Sequence, residues 1–171
     1  MQKTILIPTD FQVASLNTLK LALKHQNNQE VRVVLMYCEY LSDSITELLF
    51  FSPKETIKSL IKPEFEEAVA ILKNRFAKTL VQLSVEMFHG QTTNAFQNFA
   101  QANEIDEIYI PKSYTLKKSD KSFDPLPYFK KSKLPIYEME WDNNTKVSRE
   151  DQLEAIFSNL FPNTYEQRSI S

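Results

Sequence analysis

Apolar residues along this chain follow two alternating patterns. Short continuous runs rich in β-branched residues, Ile5-Leu6-Ile7 and then Val31 with Val33-Val34-Leu35-Met36, are each followed by stretches in which apolar positions return every three or four residues. The first pattern is that of a strand buried on both faces of a parallel sheet, and the second is that of a helix covering one of those faces. Ile5 to Ile7 therefore predicts a first strand, with Asp10 carried just past its C-terminal edge. Ala14, Leu16, Leu19, Ala22 and Leu23 give the first helix its inward stripe, and the polar run Gln26-Asn27-Asn28-Gln29 ends it.

After the second strand, Tyr40 to Phe51 reads as a loop with a short helical piece around Ile45, Leu48, Leu49 and Phe50. Ser52-Pro53-Lys54-Glu55 has the features of a helix start: a hydroxyl cap, proline at the first helical position and glutamate three residues after the cap. Helical spacing continues from Ile57 to Phe76, and Pro63 either kinks one helix there or separates two. Leu83 to Phe88 predicts a third strand whose alternation fits a place near the sheet edge. Thr92 or Thr93 caps a helix with Ala95, Phe96, Phe99 and Ala100 inward, and Ile105 to Ile110 follows as the fourth strand.

Pro125 begins a short helix through Tyr128 and Phe129, and Pro135 to Met139 is the fifth strand. Residues 1–141 then make one α/β domain, an open and mostly parallel five-stranded sheet with helices on both faces. Residues 142–171 form a C-terminal extension in which Ser148-Arg149-Glu150-Asp151 caps one amphipathic helix carrying Leu153, Ile156, Phe157 and Leu160. A ligand on such a sheet sits at the C-terminal ends of the strands, which gathers Asp10, Tyr37 to Tyr40, His89 and Pro111 to Thr115.

Composition narrows the function classes. The chain has 171 residues and a net charge of -2, which gives no general attraction to DNA, RNA or acidic membranes. No run approaches the ~20 apolar residues of a membrane span, and the N-terminus lacks a signal-peptide core, so a cytoplasmic protein is expected. Cys38 is the only cysteine, which rules out an intramolecular disulfide and reads as a buried free thiol. His25 and His89 lack ligand spacing, so no metal is expected, and no serine stands in a recognisable nucleophile motif. Glu64, Glu66 and Glu67 read as the outer face of a helix.

Three blocks carry a resemblance. Ile5-Leu6-Ile7-Pro8-Thr9-Asp10-Phe11 with Ala14-Ser15-Leu16, then Ile105 to Ile110, then Lys131-Ser132-Lys133-Leu134-Pro135-Ile136 resemble, in order, the opening, the fourth strand and the entry to the fifth strand of the universal stress protein family. The resemblance implies a sheet ordered 3-2-1-4-5, of the adenine-nucleotide alpha-hydrolase-like kind, commonly a homodimer meeting along the fifth strand, and in one branch a bound ATP. Asp10 matches the family aspartate near the adenine and ribose. The alternative role for Asp10 is a turn residue whose carboxylate satisfies backbone N–H groups.

The family's phosphate loop has a glycine, two residues, a second glycine, nine residues, and a glycine followed by serine or threonine. Those positions fall here on Pro111, Tyr114 and the Ser122-Phe123 pair, so none of the three glycines is present. Proline has no N–H to offer a phosphate, and the two aromatic rings fill space that the family loop leaves open. The fragment from 111 to 133 carries seven lysines against Asp120 and Asp124, a local balance of +5, which reads as a solvated face or as side-chain replacement for the missing backbone donors.

The leading expectation is a non-enzymatic, stress-response-type dimer with no cofactor, with a protein partner as a further option. Ile136, Tyr137, Met139 and Trp141, together with Leu153, Ile156, Phe157 and Leu160, are the candidate interface. One alternative is an adenine-nucleotide binder or slow ATPase using Asp10, Lys112, Ser113 and the lysine-rich 112–133 loop. Another is a small-molecule enzyme of unassigned chemistry.

Overall fold

A computed structural model of the chain describes residues 2–141. Leu153, Ile156, Phe157 and Leu160 of the expected C-terminal helix lie outside the described residues. In order, the elements are β1 (Lys3–Pro8), a 3-10 turn (Val13–Ser15), α1 (Leu16–His25), β2 (Val31–Cys38), α2 (Ile45–Leu49), α3 (Pro53–Leu60), α4 (Pro63–Arg75), β3 (Leu80–Phe88), α5 (Thr93–Ala102), β4 (Glu107–Pro111), α6 (Leu126–Lys131) and β5 (Ile136–Met139). The five strands form one sheet in the order β3-β2-β1-β4-β5, every neighbouring pair is parallel, and helices flank both faces.

Strand parity decides which helix covers which face, because successive side chains point to opposite sides of a sheet. Leu6 pairs with both Val34 and Ile108, and these three join Met36, Ile110, Phe96 and Phe129 in one buried cluster under α5 and α6. Ile5, Ile7, Val33, Leu35 and Tyr109 alternate with them and are also buried, and Tyr109 meets His25 of α1. Both faces of β1 are thus closed to water, which is why its run is continuously apolar.

The helix starts follow their sequence signals. The side-chain oxygens of Ser44, Ser52 and Thr92 accept the backbone N–H groups of Glu47, Glu55 and Ala95 at 3.4, 3.4 and 3.1 Å. Pro63 separates two helices rather than kinking one, because α3 stops at Leu60 and Pro63 opens α4. Two strand bounds differ from the sequence expectation. β3 starts at Leu80 because Val31 on β2 supplies a partner there, and β4 starts at Glu107, because Glu104 turns left-handed at φ 53 just before it. As expected, β3 is an edge strand.

Strand order reverses between β1 and β4. The chain leaves β1 toward β2 on one side and enters β4 on the other, so their C-terminal ends diverge and leave a crevice there. Among the described residues, no helix is long and apolar enough to cross a membrane.

Candidate functional site at the strand C-termini

The crevice is a cavity of about 240 Å³ lined from β1, β2, β4 and the segment that follows β4. On the β1 side it is built by a tight turn. Thr9 Oγ1 accepts the N–H of Phe11 at 3.1 Å, and the Ser15 hydroxyl donates to the carbonyl of Gln12 at 2.8 Å. Phe11 holds φ at 58°, a left-handed conformation that costs a bulky L-residue about 1–2 kcal/mol. Its buried ring packs against Tyr37 at 5.0 Å and Phe65 at 5.6 Å, and that packing offsets the strain.

The turn aims Asp10 into the crevice, where the chain itself takes up the carboxylate. Oδ1 accepts the N–H of Gln12 at 2.9 Å. Oδ2 accepts the Tyr114 hydroxyl at 2.6 Å and the backbone N–H of Lys117 at 2.8 Å. Asp10 is 9% exposed, and a carboxylate offers about four acceptor positions, so most of its capacity is used. The Tyr114 hydroxyl is pushed far up from the ordinary phenol range, first by burial and then by its bond to Asp10 and the Asp10 charge. It therefore stays protonated and remains a donor.

The segment from 112 to 125 folds back over the strand ends instead of forming an open phosphate loop. Glu39 and Ser122 form an antiparallel bridge, and the N–H of Tyr40 donates to the carbonyl of Lys121 at 2.7 Å. Phe123, standing where the family loop ends in a small residue, is buried with its ring 4.6 Å from Tyr40 and 5.9 Å from Phe88. Phe123 thus ties the far end of the segment into the core.

The other residues singled out from the sequence are placed as follows. Lys112 pairs with Glu140 at 3.1 Å, and the Ser113 hydroxyl donates to the same carboxylate at 3.3 Å, so both polar groups engage an exposed glutamate just past β5. The Cys38 thiol is buried against the cavity and pushed well up, chiefly by burial and secondarily by the Asp124 charge, so it is neutral and unreactive. His25 contacts Tyr109 while His89 meets the Phe51 ring, so the two histidines stand apart. Among the described residues, no group of three or more His, Cys, Asp or Glu side chains could hold a metal. Tyr137 stacks on Tyr109 at 5.0 Å, Ile136 packs on the core cluster, Met139 pairs with Pro111, and Trp141 lies 5.7 Å from the Tyr114 ring.

The sequence did not reveal two arrangements. One is the Tyr114 to Asp10 bond. The other is a chain of polar groups bracing α1 to β4: the Tyr109 hydroxyl donates to Glu107 at 3.1 Å, accepts from Gln26 at 2.7 Å and lies 3.0 Å from His25 Nδ1, while Lys3 pairs with Glu107 at 2.7 Å. A lone hydroxyl between Ile108 and Ile110 in a doubly covered strand was the available signal, since a buried tyrosine hydroxyl requires partners.

No protein-family model matches the sequence, and no curated protein matches it. Solved structures do match in three dimensions. The universal stress protein UspA from Lactobacillus plantarum superposes with a TM-score of 0.52 at 15% identity, covering 80% of this chain and 97% of that one. This chain has the fold of a universal stress protein. The crystal structure of a hypothetical protein, PH0823, is similar at a TM-score of 0.50 and 19% identity, covering 83% of this chain and 99% of that one. At these identities the likeness shows the fold, and the site must be argued from its own residues.

Proposed function

We propose that this chain is a non-enzymatic, stress-response-type module that acts as a homodimer and does not use ATP in the manner of the nucleotide-binding branch of the family it resembles. The observation that carries this reading is the Asp10 carboxylate, held by Tyr114 at 2.6 Å and by the Lys117 N–H at 2.8 Å. A ribose or adenine group reaching Asp10 Oδ2 competes with both, and breaking a hydrogen bond to a charged acceptor costs about 1.5–3 kcal/mol. The absence of the three loop glycines takes away the close backbone approach by which N–H groups cradle phosphates, and Pro111 has no N–H at all, which supports the same conclusion.

Of the groups that line the crevice, Cys38 is held neutral and Asp10 has most of its acceptor capacity taken up by the chain itself, which favours a non-enzymatic role. Homodimerisation is supported by β5, which ends the sheet among the described residues, since a sheet edge is the usual template for another strand. Titration calorimetry with ATP and magnesium, on protein checked by mass spectrometry for carried-over nucleotide, tests the first half. The expected result is no saturable heat. Light scattering across micromolar concentrations tests the second half, and a monomer throughout overturns it.

A further inference from the structure

With Asp10 satisfied, the crevice is still not filled. About 240 Å³ remains beside it, and its inner wall is apolar, formed by the buried side chains of Met36, Ile110, Phe123 and Phe129. Polar groups around the cavity have partners of their own: Asp10 as described, Thr9 with Phe11 and Ser15, Ser122 with Ser119, and the Asp124 carboxylate with the N–H of Leu126. Thr18 Oγ1 is the buried side-chain oxygen or nitrogen left without a partner among the described residues, and Thr18 does not line this cavity. A ligand body with many hydrogen-bonding groups would therefore leave them unpaired inside, and that is costly.

Size limits the ligand further. An engineered apolar cavity of about 150 Å³ takes up benzene, whereas pockets for drug-sized molecules run to about 300–1,000 Å³. The present volume lies between these values and suits a fused two-ring aromatic. At the rim the chemistry changes. Lys117 and Lys118 both line the cavity, both are exposed, and neither has an ion-pair partner among the described residues. Lys112, by contrast, is already paired with Glu140.

We infer that this cavity binds a compact aromatic monoanion, its rings against Met36, Ile110, Phe123 and Phe129 and its carboxylate at the ammonium groups of Lys117 and Lys118. The inference rests on the reading above that Asp10 is closed to a nucleotide; its neutral donors leave the Asp10 charge in place, so the anion enters with its carboxylate away from Asp10 and toward the lysines. The backbone of Lys117 is pinned by its own N–H to Asp10, so the closed segment itself carries the cationic rim to the cavity mouth.

The test is calorimetric titration of the full chain with 1-naphthoate, with its neutral analogue 1-naphthol, and separately with magnesium ATP. We expect 1-naphthoate to saturate one site per chain. Charge reversal by Lys117→Glu with Lys118→Glu, both on the surface, weakens 1-naphthoate about tenfold and leaves 1-naphthol within about twofold. Leu126→Trp, which fills the cavity from a half-buried position, abolishes binding of both. Absence of saturable 1-naphthoate binding up to about 1 mM, or an unchanged affinity in the charge-reversed variant, overturns the inference and leaves the proposed function standing. Saturable ATP binding overturns the proposed function instead, and the inference with it.

Discussion

The Tyr114 hydroxyl donates to Asp10 Oδ2 at 2.6 Å across 104 positions of sequence, and this contact makes the Asp10 carboxylate part of the protein's own scaffold. Were Asp10 waiting for a ligand, removing its tyrosine partner would cost the fold little. Because the carboxylate is nearly buried, Tyr114→Phe is expected to lower unfolding free energy by about 1–2 kcal/mol. Urea denaturation of the two proteins measures this, and an unchanged midpoint would mean that water replaces the hydroxyl freely.

Three tyrosines report the folded state through pH. Tyr37, Tyr109 and Tyr114 are all raised above the ordinary phenol value of 10.0, in each case chiefly by burial. A phenol that is harder to ionise when folded contributes its full stability below the unfolded value, and that contribution is lost as pH rises above it. Stability should therefore hold up to about pH 10 and fall beyond it. Absorbance at 295 nm should show these three phenols ionising only together with loss of structure.

Cys38 should be silent in the native protein. Its thiol is buried and held neutral, and reactivity requires an accessible thiolate. A colorimetric disulfide reagent is expected to leave it unmodified in buffer and to titrate one thiol per chain in concentrated urea. Fast labelling of the folded protein would show that the segment from 112 to 125 opens readily.

Backbone placement supplies an opposed pair of substitutions. Gly90, the single glycine, sits where an added Cβ would come within 2.5 Å of Ala95 Cβ and 2.8 Å of the Phe88 ring, so Gly90→Ala should destabilise by about 1–3 kcal/mol. Glu104 instead occupies a left-handed position at φ 53 without being glycine. Its ion pair with Arg32 is exposed, and such pairs contribute little, so Glu104→Gly should stabilise by about 1 kcal/mol. Thermal unfolding of the two variants should shift in opposite directions.

Much of the architecture is legible in the amino-acid sequence by itself, and the reason is local. Ile5-Leu6-Ile7 and Val33 to Met36 advertise strands buried on both faces, because a side chain at every position must then be apolar. Ser52 with Pro53 and Thr92 with its helix announce their starts, because a cap satisfies backbone donors only a few residues away. The absence of glycine from the segment after β4 is readable too, and glycine is the residue that lets a backbone approach a ligand closely. Tertiary structure alone decided what the replacements do. Tyr114 and Phe123 read as obstructions in the sequence, yet one is a donor to Asp10 and the other an anchor against Tyr40 and Phe88. Such partners lie far apart along the chain, and no local periodicity records which distant groups a folded backbone will bring within hydrogen-bonding distance.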